Sequence, residues 1–408
     1  MSEPTTRSAA ASSGKAAPPQ PSRAKARLGA LLRALVRPKT VATVAALVVL
    51  AALPFYLSSF WLLTGLFAMA AALGAIGLNI LSGTTGQLSL GHAFFLAVGA
   101  YGYMYFSGES DSSGAHHLDG LGLPTPLALV LAVLLAGLMG GVFSPISGRL
   151  RGMYLGVATL ALVFIGEHVM NNAKSITGGF NGRAAEPMQL FGFTFADHDP
   201  YLEVLGIEFG AYERLWYFAL VLLVLGIWVA RNLLRGRPGR ALGAVRDSEI
   251  AAAVMGVPVA RYRSMAFVVS SMYAGLAGVL LALVYGRLTP ENFGLLLSID
   301  YLAMIVIGGL GSVGGAVAGA VFVTVLPQLF TKYAASLPLV VESGGDGVGP
   351  TEAARYLYGG AIVLVLLFAP GGLAGLVRRR PRARKPPLRT ATRSWSRSRS
   401  QEPQGAAS

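Results

Sequence analysis

Apolar residues run almost unbroken through ten stretches of this chain: 41–60, 61–81, 88–106, 125–147, 152–172, 215–231, 264–286, 299–309, 312–328 and 357–377. A helix needs about 20 mostly apolar residues to cross the hydrocarbon of a bilayer. Most of the ten stretches reach or approach that length. The eighth is short, and the glycine-rich run from Gly308 to Gly315 separates it from the ninth. The pattern predicts an all-α, polytopic membrane helix bundle of about ten transmembrane segments.

Composition supports the pattern. Of 408 residues, 54% are hydrophobic and 13% charged, whereas a soluble domain carries about a quarter charged residues. Cysteine is absent, which removes disulfides, thiolate metal sites, Fe–S clusters and cysteine nucleophiles. The net charge of +14 would suit a nucleic-acid binder until the charges are placed. Residues 1–40, Arg149 and Arg151, residues 231–263, and the stretch from Arg378 onward hold 27 of the 33 basic residues. An even number of spans puts all four clusters and both termini on one face, and an excess of Lys and Arg marks that face as cytoplasmic. The acids Glu109, Asp111, Asp119, Glu186, Asp197, Asp199, Glu203, Glu208 and Glu213 fall in the opposite loops. The positive charge is therefore a topology signal and an attraction to anionic headgroups, and no nucleic acid is expected as a partner. Residues 1–40 and 378–408, rich in Ser, Pro, Ala and Arg, are predicted to be disordered basic cytoplasmic tails around a membrane domain at 41–377. The first span reads as an uncleaved anchor, because its basic leader is long and a second apolar stretch follows at once.

The loops differ in kind. Residues 107–124 and 173–214 carry turn formers such as Gly178-Gly179 and Asn181-Gly182 and are predicted to cap the membrane part. The loop at 232–263 instead predicts a short amphipathic helix. Ile250, Val254 and Val257 recur at helical spacing, Asp247 and Ser248 can cap its start, and Gly256 and Pro258 stop it. Such a helix can lie on headgroups or dock in a partner's groove.

Polar residues within the spans are few, and hydrocarbon makes each of them costly. Asn79 ends the second stretch; Gln87, Ser89 and His92 begin the third; Glu167, His168, Asn171 and Asn172 close the fifth. Gly308, Gly309 and Gly311 mark a break that can line a pathway, since irregular backbone is tolerated in a membrane only against protein or water. The spacing of Gly311, Gly315 and Gly319, and of Gly275 and Gly278, suits close helix packing. Catalytic chemistry is missing. There is no Walker A pattern, no His/Glu pair at metalloprotease spacing, and no acid near Ser82, Ser89 and His92 to complete a Ser/His arrangement. The chain is read as a transport subunit and not an enzyme, with no metal and no cofactor.

Two stretches carry a resemblance. Gly77-Leu-Asn79-Ile-Leu-Ser-Gly83-Thr-Thr-Gly86-Gln87-Leu-Ser89-Leu-Gly91-His92, followed by Gly99-Ala-Tyr101, resembles the signature of branched-chain amino-acid ABC transporter permeases, specifically the second of their two paired subunits. The loop from Gly239 through Arg246-Asp-Ser-Glu249-Ile-Ala251-Ala252 to Gly256 is similar to the one by which that family contacts its ATPase. Ser298-Ile-Asp300, Gly308 through Gly315, Arg149-Leu-Arg151-Gly152 and Thr177-Gly178-Gly179 extend the likeness over most of residues 60–330. The resemblance implies a multi-pass protein of the bacterial cell membrane working with a second permease subunit, two cytoplasmic ABC ATPases and an external solute-binding protein. It also implies that Arg246, Glu249, Ala251, Ala252 and Gly256 seat the loop helix against the ATPase, and that Asn79, Gln87, Ser89, His92, Gly308, Gly309 and Gly311 line or gate the pathway. The chain departs from the family's pattern at Leu162-Val163-Phe164 and Glu167. That departure leaves urea and short amides as alternative cargo; an ion-coupled secondary transporter is the alternative of a different class.

Overall fold

The computed structural model describes residues 38–110, 117–150, 152–190, 192–195, 202–204, 207–333, 350–369 and 371–377. The two basic tails up to residue 37 and from 378 lie outside the described residues, as do Asp111, Asp197 and Asp199. Each of the ten apolar stretches holds a helix: α1 Pro38–Ala52, α2 Ser59–Leu78, α3 His92–Ser107, α4 Thr125–Arg149, α5 Met153–Asn172 and α6 Ala211–Arg235, then, beyond the loop helices α7 Arg237–Asp247 and α8 Glu249–Val254, α9 Val259–Tyr285, α10 Leu295–Gly308, α11 Val313–Tyr333 and α12 Pro350–Phe368. Seven segments among the described residues are long and apolar enough to cross a membrane: Ser59–Gly83, Thr125–Arg149, Met153–Asn172, Ala211–Arg235, Val259–Tyr285, Pro290–Gly308 and Val313–Tyr333. The expected count of about ten thus reduces to seven by length, with shorter apolar helices at Val41–Phe55 and Tyr356–Val365 and α3 at 16 residues.

Two boundaries differ from expectation for physical reasons. The third stretch does not begin as helix at residue 88. Gly86 takes a positive φ of 74°, the chain stays non-helical through Gly91, and α3 starts at His92. The eighth stretch is longer than its apolar core, because the 3-10 turn Pro290–Phe293, closed by a capping box between Thr289 and Asn292, leads directly into α10.

The centre is built from small residues. α9 packs on α2, α3 and α4, and an Ala-rich run, Ala68 to Ala75, lies buried along α2. A Cβ added at Gly99 would collide with the Gly275 backbone, and one at Gly278 with the Leu96 carbonyl. Lipid supplies no hydrophobic drive for helix association, so backbone approach of this kind is what holds spans together. At the periphery, α1 hangs on α6: the Trp216 indole donates to the Leu50 carbonyl at 2.9 Å and the Tyr217 hydroxyl to the Ala51 carbonyl at 2.8 Å, which serves carbonyls a helix end leaves open.

The bundle has two unlike ends. At one, short antiparallel pairs form between Arg183–Ala184 and Arg287–Leu288, Gln189–Leu190 and Phe193–Thr194, and Leu202–Val204 and Ile207–Phe209. Arg183 is buried here and donates to the carbonyls of Asp119 at 2.6 Å and Ile176 at 2.9 Å, tying the two expected cap loops together. Burial lowers its guanidinium pKa, yet an arginine stays charged in any case. At the other end lie the loop helices α7 and α8 and the two breaks described next. We call these the hairpin end and the loop end.

Candidate functional site

α2 does not stop cleanly. Its last turn, Asn79–Gly83, widens into a π-helical turn, a form that recurs at functional sites. Thr84 and Thr85 then turn their hydroxyls back onto the carbonyls of Ile80 and Leu81 at 2.5 and 2.6 Å. Asn79 is fully buried, and its Oδ1 accepts from the Gly311 N–H at 2.8 Å. That bond joins the first break to the second, where Gly309 and Gly311 take φ of 108° and 78° between α10 and α11. Gly308 sits otherwise: a Cβ there would collide with the Gly315 carbonyl, so it serves the close packing of the two helices, and Gly319 does the same against the Met304 carbonyl. The glycine run thus splits into two breaking positions and a packing stripe.

The loop helices bind to the same place. Arg246, near the end of α7, donates to the Gly83 carbonyl at 2.6 Å, the acceptor that the end of α2 leaves open. Ser248 caps α8 by accepting from the Ala251 N–H at 3.2 Å, and Gly256 ends the turn with φ of 81°, as the sequence predicts. Glu249 pairs with Arg263 of α9, and Ala252 is fully buried. These two therefore face the bundle and not outward. The outward side of α8 carries Ile250, Val254 and Met255, which are 80%, 84% and 70% exposed. A cavity of about 260 Å³ lies between the first break and the loop, walled by Thr85, Gln87, Arg246, Glu249 and Arg263 among others.

The remaining sequence candidates gather around the first break. Gln87 Oε1 accepts from the Ser147 hydroxyl at 3.2 Å, and the Ser89 hydroxyl accepts from the Gly91 N–H at 3.4 Å. The Leu90 N–H donates to Thr159 Oγ1 at 2.9 Å and the Ala93 N–H to Ser298 Oγ at 3.0 Å. His92 is buried with its ring edge-on to Tyr301, 5.0 Å between centroids. Around this break, four buried side-chain atoms have no hydrogen-bond partner among the described residues: Asn79 Nδ2, Ser82 Oγ, Gln87 Nε2 and His92 Nε2. Such groups are rare in folded chains, and each calls for a partner or a second arrangement. Ser147, Thr159 and Arg263 were not singled out from sequence, although each is a polar residue in an apolar helix and could have been flagged on that ground; Ser298 was noted only within a stretch that carries the likeness. Phe164, where the family pattern is broken, is exposed on α5, and Glu167 is half-buried one turn away.

Helix breaks that meet a helical loop in a polytopic bundle suit a transport subunit, and the comparisons specify which kind. Residues 61–366 match the model of the branched-chain amino acid transport system permease component. The chain belongs to that family. It is 32% identical over 345 residues to the high-affinity branched-chain amino acid transport system permease protein LivM of Escherichia coli, covering 82% of this chain and 75% of that protein. It is 24% identical over 307 residues to the corresponding BraD protein of Pseudomonas aeruginosa, covering 74% and 91%. A weaker match, 28% over 156 residues, is to LivH of Salmonella typhimurium, covering 38% and 44%. No solved structure matches the chain. Membership of this family makes the chain a transport permease.

Proposed function

We propose that this chain is a permease subunit of an ATP-driven importer for branched-chain amino acids in the bacterial cell membrane, with both termini and the loop end cytoplasmic. It pairs with a second permease subunit, receives cargo from an external binding protein at the hairpin end, and is driven by two ABC ATPases. The observation that carries the mechanism is the route from α8 to the breaks. Ile250, Val254 and Met255 offer an apolar face outside the membrane, the pattern of a helix that seats in a groove. Behind that face, Arg246 holds the Gly83 carbonyl and Asn79 of the same turn holds the Gly311 N–H. A push on α8 therefore reaches both breaks through two hydrogen bonds. Glu249 and Arg263 fix α8 to the start of α9, so the loop moves as a unit with that helix. In this reading Glu249, Ala252 and Arg246 transmit, Gly256 gives the loop its turn, and Ile250, Val254 and Met255 make the contact.

The test is uptake by the complete transporter in proteoliposomes. ATP-dependent leucine import is expected; import of urea or acetamide in place of leucine, or leucine import driven by an ion gradient without ATP, would sink the reading. Ile250→Asp with Val254→Asp should abolish ATPase co-purification while leaving the chain's own melting temperature unchanged. Retention of the ATPase by that double variant would refute the contact.

A further inference from the structure

Away from both breaks, α10 carries an acid in mid-span. Asp300 lies near the middle of the Pro290–Gly308 segment and makes no hydrogen bond or ion pair among the described residues. It opens onto a cavity of about 300 Å³ between α2, α10, α11 and α12, at the lower limit of the roughly 300–1,000 Å³ range of small-molecule sites. An ionisable side chain within a span faces a partner or a wet pathway and not lipid. The question is what the cavity would hold against it.

The polar groups around Asp300 are neutral and all can accept, although the hydroxyls of Tyr285, Tyr301 and Tyr358 and the Gln328 amide can also donate. Thr64 lines the cavity with its hydroxyl proton already given to the Phe60 carbonyl at 2.8 Å, so its oxygen can only accept there. Val323 and Pro327 both border the cavity, and Pro327, inside α11, has no N–H to give the Val323 carbonyl. Thr324 adds a hydroxyl and Gln328 an amide. Among the described residues that line the space there is no Lys or Arg. One carboxylate with neutral acceptors is what a primary ammonium needs, with three N–H donors and one positive charge. Phe67, Leu281 and Leu297 supply apolar wall for a hydrocarbon side chain.

We propose that Asp300 receives the α-ammonium of an amino-acid substrate in this cavity, on the hairpin-end side of the breaks. The proposal rests on the amino-acid importer reading above. The cavity lies between Tyr285, where α9 ends, and Thr64, near the start of α2, so a substrate arriving at the hairpin end meets it before either break.

The experiment uses the complete transporter with leucine as substrate. Wild type must import leucine; if it does not, the importer reading fails and the proposal falls with it. Given wild-type import, Asp300→Asn should lower uptake about 30-fold or more, as loss of one partner of a desolvated charge pair does. Asp300→Glu should recover part of it, and binding-protein-stimulated ATP hydrolysis should stay within about twofold of wild type, since the transmission route is untouched. Wild-type uptake by Asp300→Asn would overturn the proposal. So would loss of the assembled complex in that variant, which would mean that the carboxylate pairs with a cation of another subunit. Arg355 precedes Tyr358 by one turn in sequence; if adding Arg355→Gln to Asp300→Asn restored uptake, the pair would be internal and the proposal wrong. Thr324→Val gives an independent measure: the apparent KM for leucine should rise about fivefold for one lost hydrogen bond, and an unchanged KM would count against the site.

Discussion

The hairpin end and the loop end differ in how fully they satisfy buried polar groups: among the described residues the hairpin end leaves Asn171 Oδ1 without a partner, while four such atoms gather around the first break. At the hairpin end, Arg183 meets two carbonyls, the Tyr103 hydroxyl meets the Glu186 carbonyl at 2.9 Å, and Thr125 and the Gln189 backbone exchange two bonds at 2.7 and 3.1 Å. At the loop end, Asn79, Ser82, Gln87 and His92 each leave a buried atom without a partner among the described residues. A saturated network resists rearrangement, because moving any member leaves another group desolvated and unpaired. An under-satisfied one has lost part of that resistance already. The difference teaches which end has more to gain from rearrangement: the unpartnered atoms crowd the loop end, while the hairpin end is tied by a denser set of bonds.

Substitutions can break this contrast or refine it. The largest stability effect is expected from Arg183→Ala, which removes two bonds to buried carbonyls and should cost about 3 kcal/mol or more. The solubilised chain should then melt markedly lower or fail to purify as a single species; an unchanged melting curve would mean that the hairpin end is not the rigid one. Arg246→Ala removes one charge-assisted bond, worth about 1.5–3 kcal/mol at most, so a milder thermal shift should accompany a loss of coupling. ATP hydrolysis by the complex should continue while leucine import falls about tenfold or more, tenfold being about 1.4 kcal/mol; coupled import at the wild-type ratio would refute the route through Gly83. Asn79→Leu removes an orphaned donor but strands the Gly311 N–H, so it should cost about 1–2 kcal/mol, and its effect should again show in coupling. Ser147→Ala should be the mildest, below about 1 kcal/mol, with near-normal import. If Ser147→Ala were instead as damaging as Arg183→Ala, the two ends would not differ in the way described.

Much of this was legible in the sequence, and the reasons for the rest are specific. Ten apolar stretches foretell ten helices because a bilayer admits few other solutions, and the capped, glycine-terminated helix at 249–254 was readable from Ser248 and Gly256, since capping is local chemistry. What sequence did not show is which way that helix faces: Glu249 is turned inward by Arg263, fourteen residues on. The tie between the π turn at Asn79 and the second break was also hidden, because the Gly311 N–H lies 232 residues away. Ser298 lies in a stretch that carries the likeness, but its partner, the Ala93 N–H, is 205 residues distant and was not legible. Gln87 and Ser89 were assigned to a helix on apolar run alone, which does not register that Gly86 reverses the backbone. Pairings across the bundle are set by how the helices stack, and a single chain read linearly does not contain that.

The contact between α3 and α9 sets a limit on how the subunit can move. Gly99 lies against Gly275, and Gly278 against the Leu96 carbonyl, with no room for even a methyl group. Sliding one helix along the other by a turn, about four residues, would bring Phe95 or Tyr103 to where Gly99 now sits, and Ala274 or Ala282 to the place of Gly278. The pair can pivot about this point and cannot travel along it. The two glycine contacts thus act as an axle, a point where α3 and α9 are held in register while their ends are less constrained.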